Sequence, residues 1–310
     1  IELARSIPIF QPTVEEAVRG NPAALLLVEF AEEDMAENER RLRQLHEMMG
    51  DLGFGWDMGT AWRGGVVDAI DPGMQGRIAE WRKSGLNIMM SEKSEAKPVS
   101  FLEDCAVELK DLAEYTDKLT AIFDRNGVKG TWYAHASVGC LHVRPVLNMK
   151  QAGGAETMRA IAEEAFELVR SFGGSHSGEH GDGIVRSEFN DRMFGPVLPD
   201  LFRQVKAMFD PQGMFNPGKI TDAPKMDDRE LFRFAPGYEA EDFDSVLDWA
   251  AWPGAAGGFQ GAVEMCNNNG ACRKLTGGVM CPSYRATRNE RDAVRGRANS
   301  LRLAMSGQLG

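Results

Sequence analysis

Hydrophobic and polar positions along this chain follow two periods in turn. Ala23-Ala24-Leu25-Leu26-Leu27-Val28-Glu29-Phe30 is a short, nearly continuous apolar run, which predicts a buried strand. From Glu32 to Met49 the pattern becomes that of a charged amphipathic helix with Leu42, Leu45 and Met49 on its apolar side. Pro72 suits the first turn of a further helix that ends near Ser84-Gly85. Val99 to Val107 predicts a strand, and Leu109 to Asn126 a helix closed by Gly127. A hairpin then occupies Gly130 to Val146. The long helix from about Ala155 to Ser171 carries Met158, Ile161, Ala165, Leu168 and Val169 on one stripe. Strands and helices alternating in this way predict an α+β fold, with one mostly antiparallel sheet covered on one face by helices. Between about Asp222 and Asp248 the periodicity is broken by Pro224, a run of Asp and Glu, and Pro236-Gly237. That break predicts a domain over 1–222, a linker over 223–248 and a separate segment over 249–310. In the last of these, Trp252 to Phe259 reads as a loop and Glu290 to Leu303 as a basic helix.

Composition narrows the function classes. Of 310 residues, 43% are hydrophobic and 26% charged, enough to bury a core. The net charge of -11 argues against a nucleic-acid surface, which needs a broad basic patch to replace phosphate counterions. No apolar stretch reaches about 18 residues, so no membrane-spanning helix is predicted. The start, Ile1-Glu2-Leu3-Ala4-Arg5, has neither a methionine nor a secretion signal, and the chain reads as a piece of something longer. Five cysteines, Cys105, Cys140, Cys266, Cys272 and Cys281, are odd in number and unevenly spaced. This suits a reducing compartment with a metal or cluster site better than a disulfide framework, and so predicts the cytoplasm, including its face of the inner membrane.

The chemistry gathers in two glycine-rich segments that hold four of the five histidines. One runs from Tyr133 through His135, Gly139 and His142. The other is Ser175-His176-Ser177-Gly178-Glu179-His180-Gly181-Asp182-Gly183. A hairpin centred between Val138 and Gly139 would set His135 directly opposite His142, with Cβ atoms about 4.5–5.5 Å apart, close enough to share a divalent ion. Glu179 is the candidate third ligand; the alternative is a pair of ordinary buried histidines bonded to backbone. The glycine-dense loop lacks the Lys-Ser/Thr ending of a phosphate-binding loop, and its glycines better suit close approach of backbone to a flat ligand. Within it Asp182 suits a turn cap and His180 a proton acceptor. Further along, Cys266-x5-Cys272-x8-Cys281-Pro282 ends as bacterial ferredoxin motifs do, but Asn269 stands where the middle cysteine would be. Three thiolates cannot complete an all-cysteine four-iron cluster, and a structural zinc site would also lack a fourth ligand.

Taken together, these residues resemble the FAD-linked 2-hydroxy-acid dehydrogenases of the vanillyl-alcohol oxidase superfamily. The likeness is to the large forms fused to an iron–sulfur module, the D-lactate and D-2-hydroxyglutarate type. The stretches that carry it are His135 to Pro145, Ser177 to Arg186, Phe209-Asp210-Pro211 through Asn216-Pro217-Gly218-Lys219, and Met280-Cys281-Pro282-Ser283-Tyr284 through Arg295-Gly296-Arg297-Ala298. The resemblance implies a ferredoxin-like cap domain followed by the start of an iron–sulfur segment with Cys266, Cys272 and Cys281. It implies a divalent metal, zinc or manganese, on His135, His142 and Glu179, and His180 as base beside the flavin. Glu179, His180, Asn216 and Lys219 would lie near FAD, and Arg82 would hold the substrate carboxylate. Arg144, where relatives carry Asn, joins the catalytic set as a departure, and Ser137-Val138-Gly139-Cys140 replaces a Gly-Asp-Gly-Asn stretch. The implied reaction oxidises a small D-2-hydroxy acid to the 2-oxo acid and passes electrons from FAD through the iron–sulfur segment to an electron carrier or quinone. The family's N-terminal FAD-binding domain and its second cysteine motif are not recognisable here, so the isolated chain is expected to be inactive. Two other classes fit parts of the pattern: a metal-dependent hydrolase using Glu179 and a metal-bound water, and an interaction module whose cysteines hold structural zinc.

Overall fold

Polar side chains that cap turns and apolar stripes that seek cover set most of the element boundaries. The computed structural model describes residues 1–56, 64–240, 245–252, 258–276 and 278–309. The chain divides into two compact units, Ile1–Met89 and Met90–Gly310.

The first unit is helical: α1 (Glu2–Arg5), α2 (Gln11–Ala17), α3 (Met35–Asp51), α4 (Pro72–Lys83) and α5 (Gly85–Met90). Asp34 caps α3 by accepting a hydrogen bond from the Ala36 amide at 3.0 Å, and Asp71 caps α4 through the Met74 amide at 2.7 Å, with Pro72 in the first turn. A small core joins Ala4, Val14, Val18 and Ile88. The strand expected over Ala23–Phe30 does not form. Leu25, Leu26, Leu27 and Val28 are exposed, and no backbone hydrogen bond among the described residues ties the run to another segment. An apolar run becomes a strand only where a neighbour takes up its amides and carbonyls, and composition alone does not supply that neighbour.

In the second unit β4 (Cys140–Leu147) is the central strand of an open antiparallel sheet. Strand β3 (Gly130–His135) pairs along it, while β1 (Lys97–Pro98) and β2 (Cys105–Ala106) pair with its two ends. Of the strand expected over Val99–Val107 only Cys105–Ala106 forms, and β1 lies just before that range. Asp104 takes a left-handed backbone (φ 65°), which breaks the extended run just before β2. Residues of β4 alternate between faces. Leu141, Val143 and Leu147 meet the stripe Tyr115, Leu119, Ile122 and Phe123 of α6 (Leu112–Arg125), together with Met158, Ile161, Ala165 and Val169 of α7 (Ala152–Ser171), in one apolar core. The other face of β4 presents Cys140, His142 and Arg144. The result is a small antiparallel sheet packed against helices, the expected α+β class, consistent with a ferredoxin-like cap.

After α7 come α8 (Gly183–Arg186), α9 (Asn190–Phe194) and α10 (Val197–Phe209). Residues 223–248 contain one short 3-10 turn at Arg229–Leu231 among the described residues; 241–244, within the expected linker, and 253–257, within the expected loop, lie outside them. The chain then forms α11 (Gly258–Glu264), α12 (Pro282–Thr287) and α13 (Val294–Met305). The Glu264 carboxylate at the end of α11 meets Lys150 at 2.5 Å and the Tyr238 hydroxyl at 2.5 Å, while Arg233 donates to the Cys266 carbonyl at 2.7 Å. No helix among the described residues is long and apolar enough to cross a membrane.

Candidate metal centre

The site forms where three backbone strips converge: residues 103–106, the β3–β4 hairpin, and the loop after α7. The hairpin turns through a 3-10 turn at Ala136–Val138 and a left-handed Gly139 (φ 67°). A Cβ at Gly139 would stand 2.0 Å from the Val107 carbonyl oxygen, so only glycine permits this approach. The register differs from the expected one. His135 pairs with Cys140, and His142 with Tyr133, not His135 with His142. The slip is two residues, and because side chains alternate with period two, an even slip leaves both histidines on one face. They become diagonal neighbours, with ring centroids 5.0 Å apart. His142, only 8% exposed, is sandwiched between Tyr133 (5.6 Å, 25°) and His180 (4.9 Å, 14°).

The third strip is held against the sheet by backbone bonds. Ser175 and Ala106 exchange two hydrogen bonds of 2.9 Å, and the Gly178 amide donates to the Asp104 carbonyl at 2.7 Å. At Gly174 a Cβ would lie 2.4 Å from the Ala106 carbonyl oxygen, which explains the glycine there. This contact delivers Glu179 to the histidines. Its Oε1 lies 3.0 Å from His142 Nε2, 3.4 Å from His180 Nε2 and 3.6 Å from His135 Nε2. Three imidazoles thus surround one carboxylate oxygen. Burial foremost, and then the adjacent His180, holds the His142 ring below its ordinary pKa, which favours the neutral form that a metal ligand requires.

Among the described residues, two groups of three possible ligands have their donor atoms within 4.8 Å of one another: His135, His142 and Glu179, and Glu103, His142 and His180. The buried Nδ1 of His142 has no hydrogen-bond partner. Two imidazoles and a carboxylate are the donor set of an open catalytic site for zinc or a similar ion, so these residues fit a divalent metal. Gly181 and Gly183 adopt positive φ with open space where a Cβ would lie, leaving bare backbone for a flat ligand.

Other expected site residues are placed elsewhere or differently engaged. Arg144 is ion-paired with Glu103, both largely buried beside His142. Asn216, at φ 46°, accepts a hydrogen bond from Lys219 Nζ at 3.2 Å, and no hydrogen bond or ion pair among the described residues joins either to the histidines. Their loop is fastened to the residues after α8, with the Ile220 amide donating to Ser187 Oγ at 3.1 Å. Arg82 lies in the last turn of α4 in the first unit. Cys266, Cys272 and Cys281 are free thiols. Cys272 and Cys281 are buried with Ala293, and Cys281 Sγ donates to the Asp292 carbonyl at 3.3 Å. Their sulfurs do not form a three-ligand group among the described residues, and three thiolates leave a four-iron cluster one ligand short. By itself this segment does not fit such a cluster.

The residues that sequence reasoning missed lie beneath the site. Asp104 is fully buried and accepts amide hydrogen bonds from Glu179 (2.7 Å) and His180 (2.6 Å) while ion-paired with Arg186. Burial pushes its carboxyl upward, but the Arg186 guanidinium and these two amides outweigh burial and hold it below the usual range. His176 Nε2 lies 3.1 Å from Asp182 Oδ1, a second buried pair. The available signal was Glu103-Asp104 itself, an acidic pair in the middle of a run otherwise read as a strand.

Residues 5–220 match the C-terminal domain of FAD linked oxidases. The chain is 32% identical over 284 residues to the D-2-hydroxyglutarate dehydrogenase of Pantoea ananatis, covering 90% of this chain and 26% of that protein. To the enzyme of the same name from Pseudomonas putida it is 35% identical over 228 residues, 73% of this chain and 22% of the relative. To a D-lactate dehydrogenase of Archaeoglobus fulgidus it is 30% identical over 132 residues, 43% of this chain and 29% of the relative. The chain thus spans about a quarter of the length of these curated relatives. On this match, laid over the site just described, the chain belongs to the family of FAD-linked oxidases and carries their C-terminal domain.

Proposed function

We propose that this chain is the substrate-handling part of a flavin-dependent dehydrogenase that oxidises a D-2-hydroxy acid, of the D-lactate or D-2-hydroxyglutarate class, to the 2-oxo acid. The observation that carries the reading is the convergence of His135, His142 and His180 on one Glu179 oxygen, in a domain of the FAD-linked oxidase family. His135, His142 and Glu179 would hold the divalent ion, zinc or manganese. When bound, the ion supplies a Lewis acid that acidifies the substrate hydroxyl, and FAD supplies the hydride acceptor.

The remaining work falls to the chain's own side chains. His180 Nε2 accepts the hydroxyl proton, a general-base task for which an imidazole is suited. The part that the family resemblance gives Arg82, a charge-assisted pair with the substrate carboxylate, stays within this proposal. Arg144, neutralised by Glu103, sets the charge beside His142 and so bears on which acid is accepted. Glu179, His180, Asn216 and Lys219 would contact FAD, which an N-terminal domain would chiefly bind. In the longer protein Cys266, Cys272 and Cys281 would contribute to an iron–sulfur centre completed by other residues, with an electron carrier or quinone as final acceptor. The hydrolase and zinc-module readings draw no support from a match to FAD-linked oxidases. Cytoplasmic placement and the domain limits at 222 and 248 belong to the same proposal.

The test is anaerobic mixing of the full-length flavoprotein with each enantiomer of lactate and 2-hydroxyglutarate. Bleaching of flavin absorbance by a D-acid, lost on chelation and restored by zinc or manganese, is the expected result. Flavin that stays oxidised with every 2-hydroxy acid would refute the assignment.

A further inference from the structure

We propose that Asp104 is the positioning residue of the metal centre: it fixes the Glu179–His180 backbone to the strand that carries His142, and so sets the distance between carboxylate and imidazole ligands. The inference rests on the metal reading above and adds to it a residue that touches neither metal nor substrate.

Asp104 bridges the two halves of the site through both backbone and side chain. Its amide donates to the Leu141 carbonyl at 2.9 Å, next to His142 on β4. Its carbonyl accepts from the Gly178 amide at 2.7 Å, and a Cβ at Gly178 would lie 2.9 Å from that same oxygen. Its Oδ2 accepts from the Glu179 amide at 2.7 Å, the His180 amide at 2.6 Å and Ser177 Oγ at 3.5 Å. Its Oδ1 pairs with Arg186, which also donates to the carbonyls of Glu103, His176 and Gly181. One fully buried side chain therefore gathers the loop's donors, and its cation gathers the loop's acceptors.

Two features separate this from ordinary packing. A buried carboxylate is retained only with its charge met, and here the two bonded amides belong to the ligand Glu179 and to the neighbouring His180. Its left-handed backbone (φ 65°) is a conformation that persists in a non-glycine residue only when the surroundings over-determine it. Metal coordination tolerates about 0.2 Å, so a loop released from Asp104 would carry Glu179 out of range without unfolding the sheet.

The experiment is calorimetric titration of zinc, and separately manganese, into this chain, with hydrogen exchange followed at single amides. Asp104→Asn keeps the shape but replaces one acceptor oxygen by a donor. It should weaken metal binding by roughly 10- to 100-fold, the range for outer partners of metal ligands. The amides of Glu179 and His180 should exchange faster while those of Leu119 and Val143 stay as in wild type, a split that general destabilisation would not produce. Arg186→Lys, which keeps the charge and loses the fork, should move both readouts the same way by less, and it carries the test if Asp104→Asn does not fold. Wild-type affinity with undisturbed Glu179 and His180 amides in the folded variants overturns the proposal. His142→Ala separates the two claims. If wild type binds metal no better than His142→Ala, the metal reading fails, and the positioning role is decided by the amides alone: fast exchange in Asp104→Asn supports it, unchanged exchange overturns it.

Discussion

The histidine hairpin and the cysteine segment both carry ligand-type side chains, yet among the described residues only the hairpin and the loop packed on it bring three of them together. At the hairpin the candidate ligands ride on strands and on a loop zipped to β2, so backbone pairing fixes their spacing without an ion. At the cysteines the thiols sit on turns and at the starts of short helices, with Cys281 bonded to Ser283 and the Asp292 carbonyl. A sheet preorganises a site. Short turns depend on the ligand itself to draw their donors together.

Breaking the hairpin should have the largest effect. Gly139→Ala adds a methyl to a left-handed position against the Val107 carbonyl. A loss of roughly 3–4 kcal/mol in urea unfolding is expected, with metal binding lost alongside. Removing a ligand but leaving the ladder comes next. His135→Ala and His142→Ala should each weaken zinc binding by more than ~100-fold, beyond the range for outer partners. The unfolding midpoint should change little for the part-exposed His135 and fall for the buried, ring-stacked His142. In the full-length enzyme the same changes should abolish turnover with flavin retained, whereas His180→Ala should keep the metal and lose rate.

Acid should act on the hairpin too. The His142 pKa is lowered in the folded state, chiefly by burial, so the native protein favours the neutral ring and the unfolded chain takes up the proton first. The resulting stability is present above the ordinary histidine value near 6.5 and is lost as pH falls from there toward the folded value. Unfolding curves between about pH 7.5 and 5 should show this decline, and His142→Gln should flatten it. The smallest effect belongs to the other region. Cys281→Ser replaces a buried thiol already bonded to backbone and should cost about 1 kcal/mol, with no change in affinity at the histidines. A marked loss of zinc binding in that variant would erase the contrast between the regions.

The same contrast explains what was legible in the sequence. The stripe of Met158, Ile161, Ala165 and Val169 and the caps at Pro72 and Gly127 are local, and the helices they mark formed where expected. The face shared by His135 and His142 survived a wrong register because period two protects it from an even slip. What failed depended on distant partners. Ala23–Phe30 had the composition of a strand but no pairing neighbour among the described residues, and Val99–Val107 was bent at Asp104 to serve a loop some 75 residues away. Asp104 and Arg186 became visible as parts of the site only once the fold brought their segments together.

Zinc K-edge X-ray absorption of the chain loaded with one equivalent of zinc tests the central claim most directly, because it reports which atoms hold the ion. Nitrogen and oxygen scatterers at about 2.0–2.1 Å, with an imidazole signature that disappears in His142→Ala, are the predicted result. A sulfur shell at about 2.3 Å, unchanged by that substitution, would mean that the cysteines and not the hairpin hold the metal.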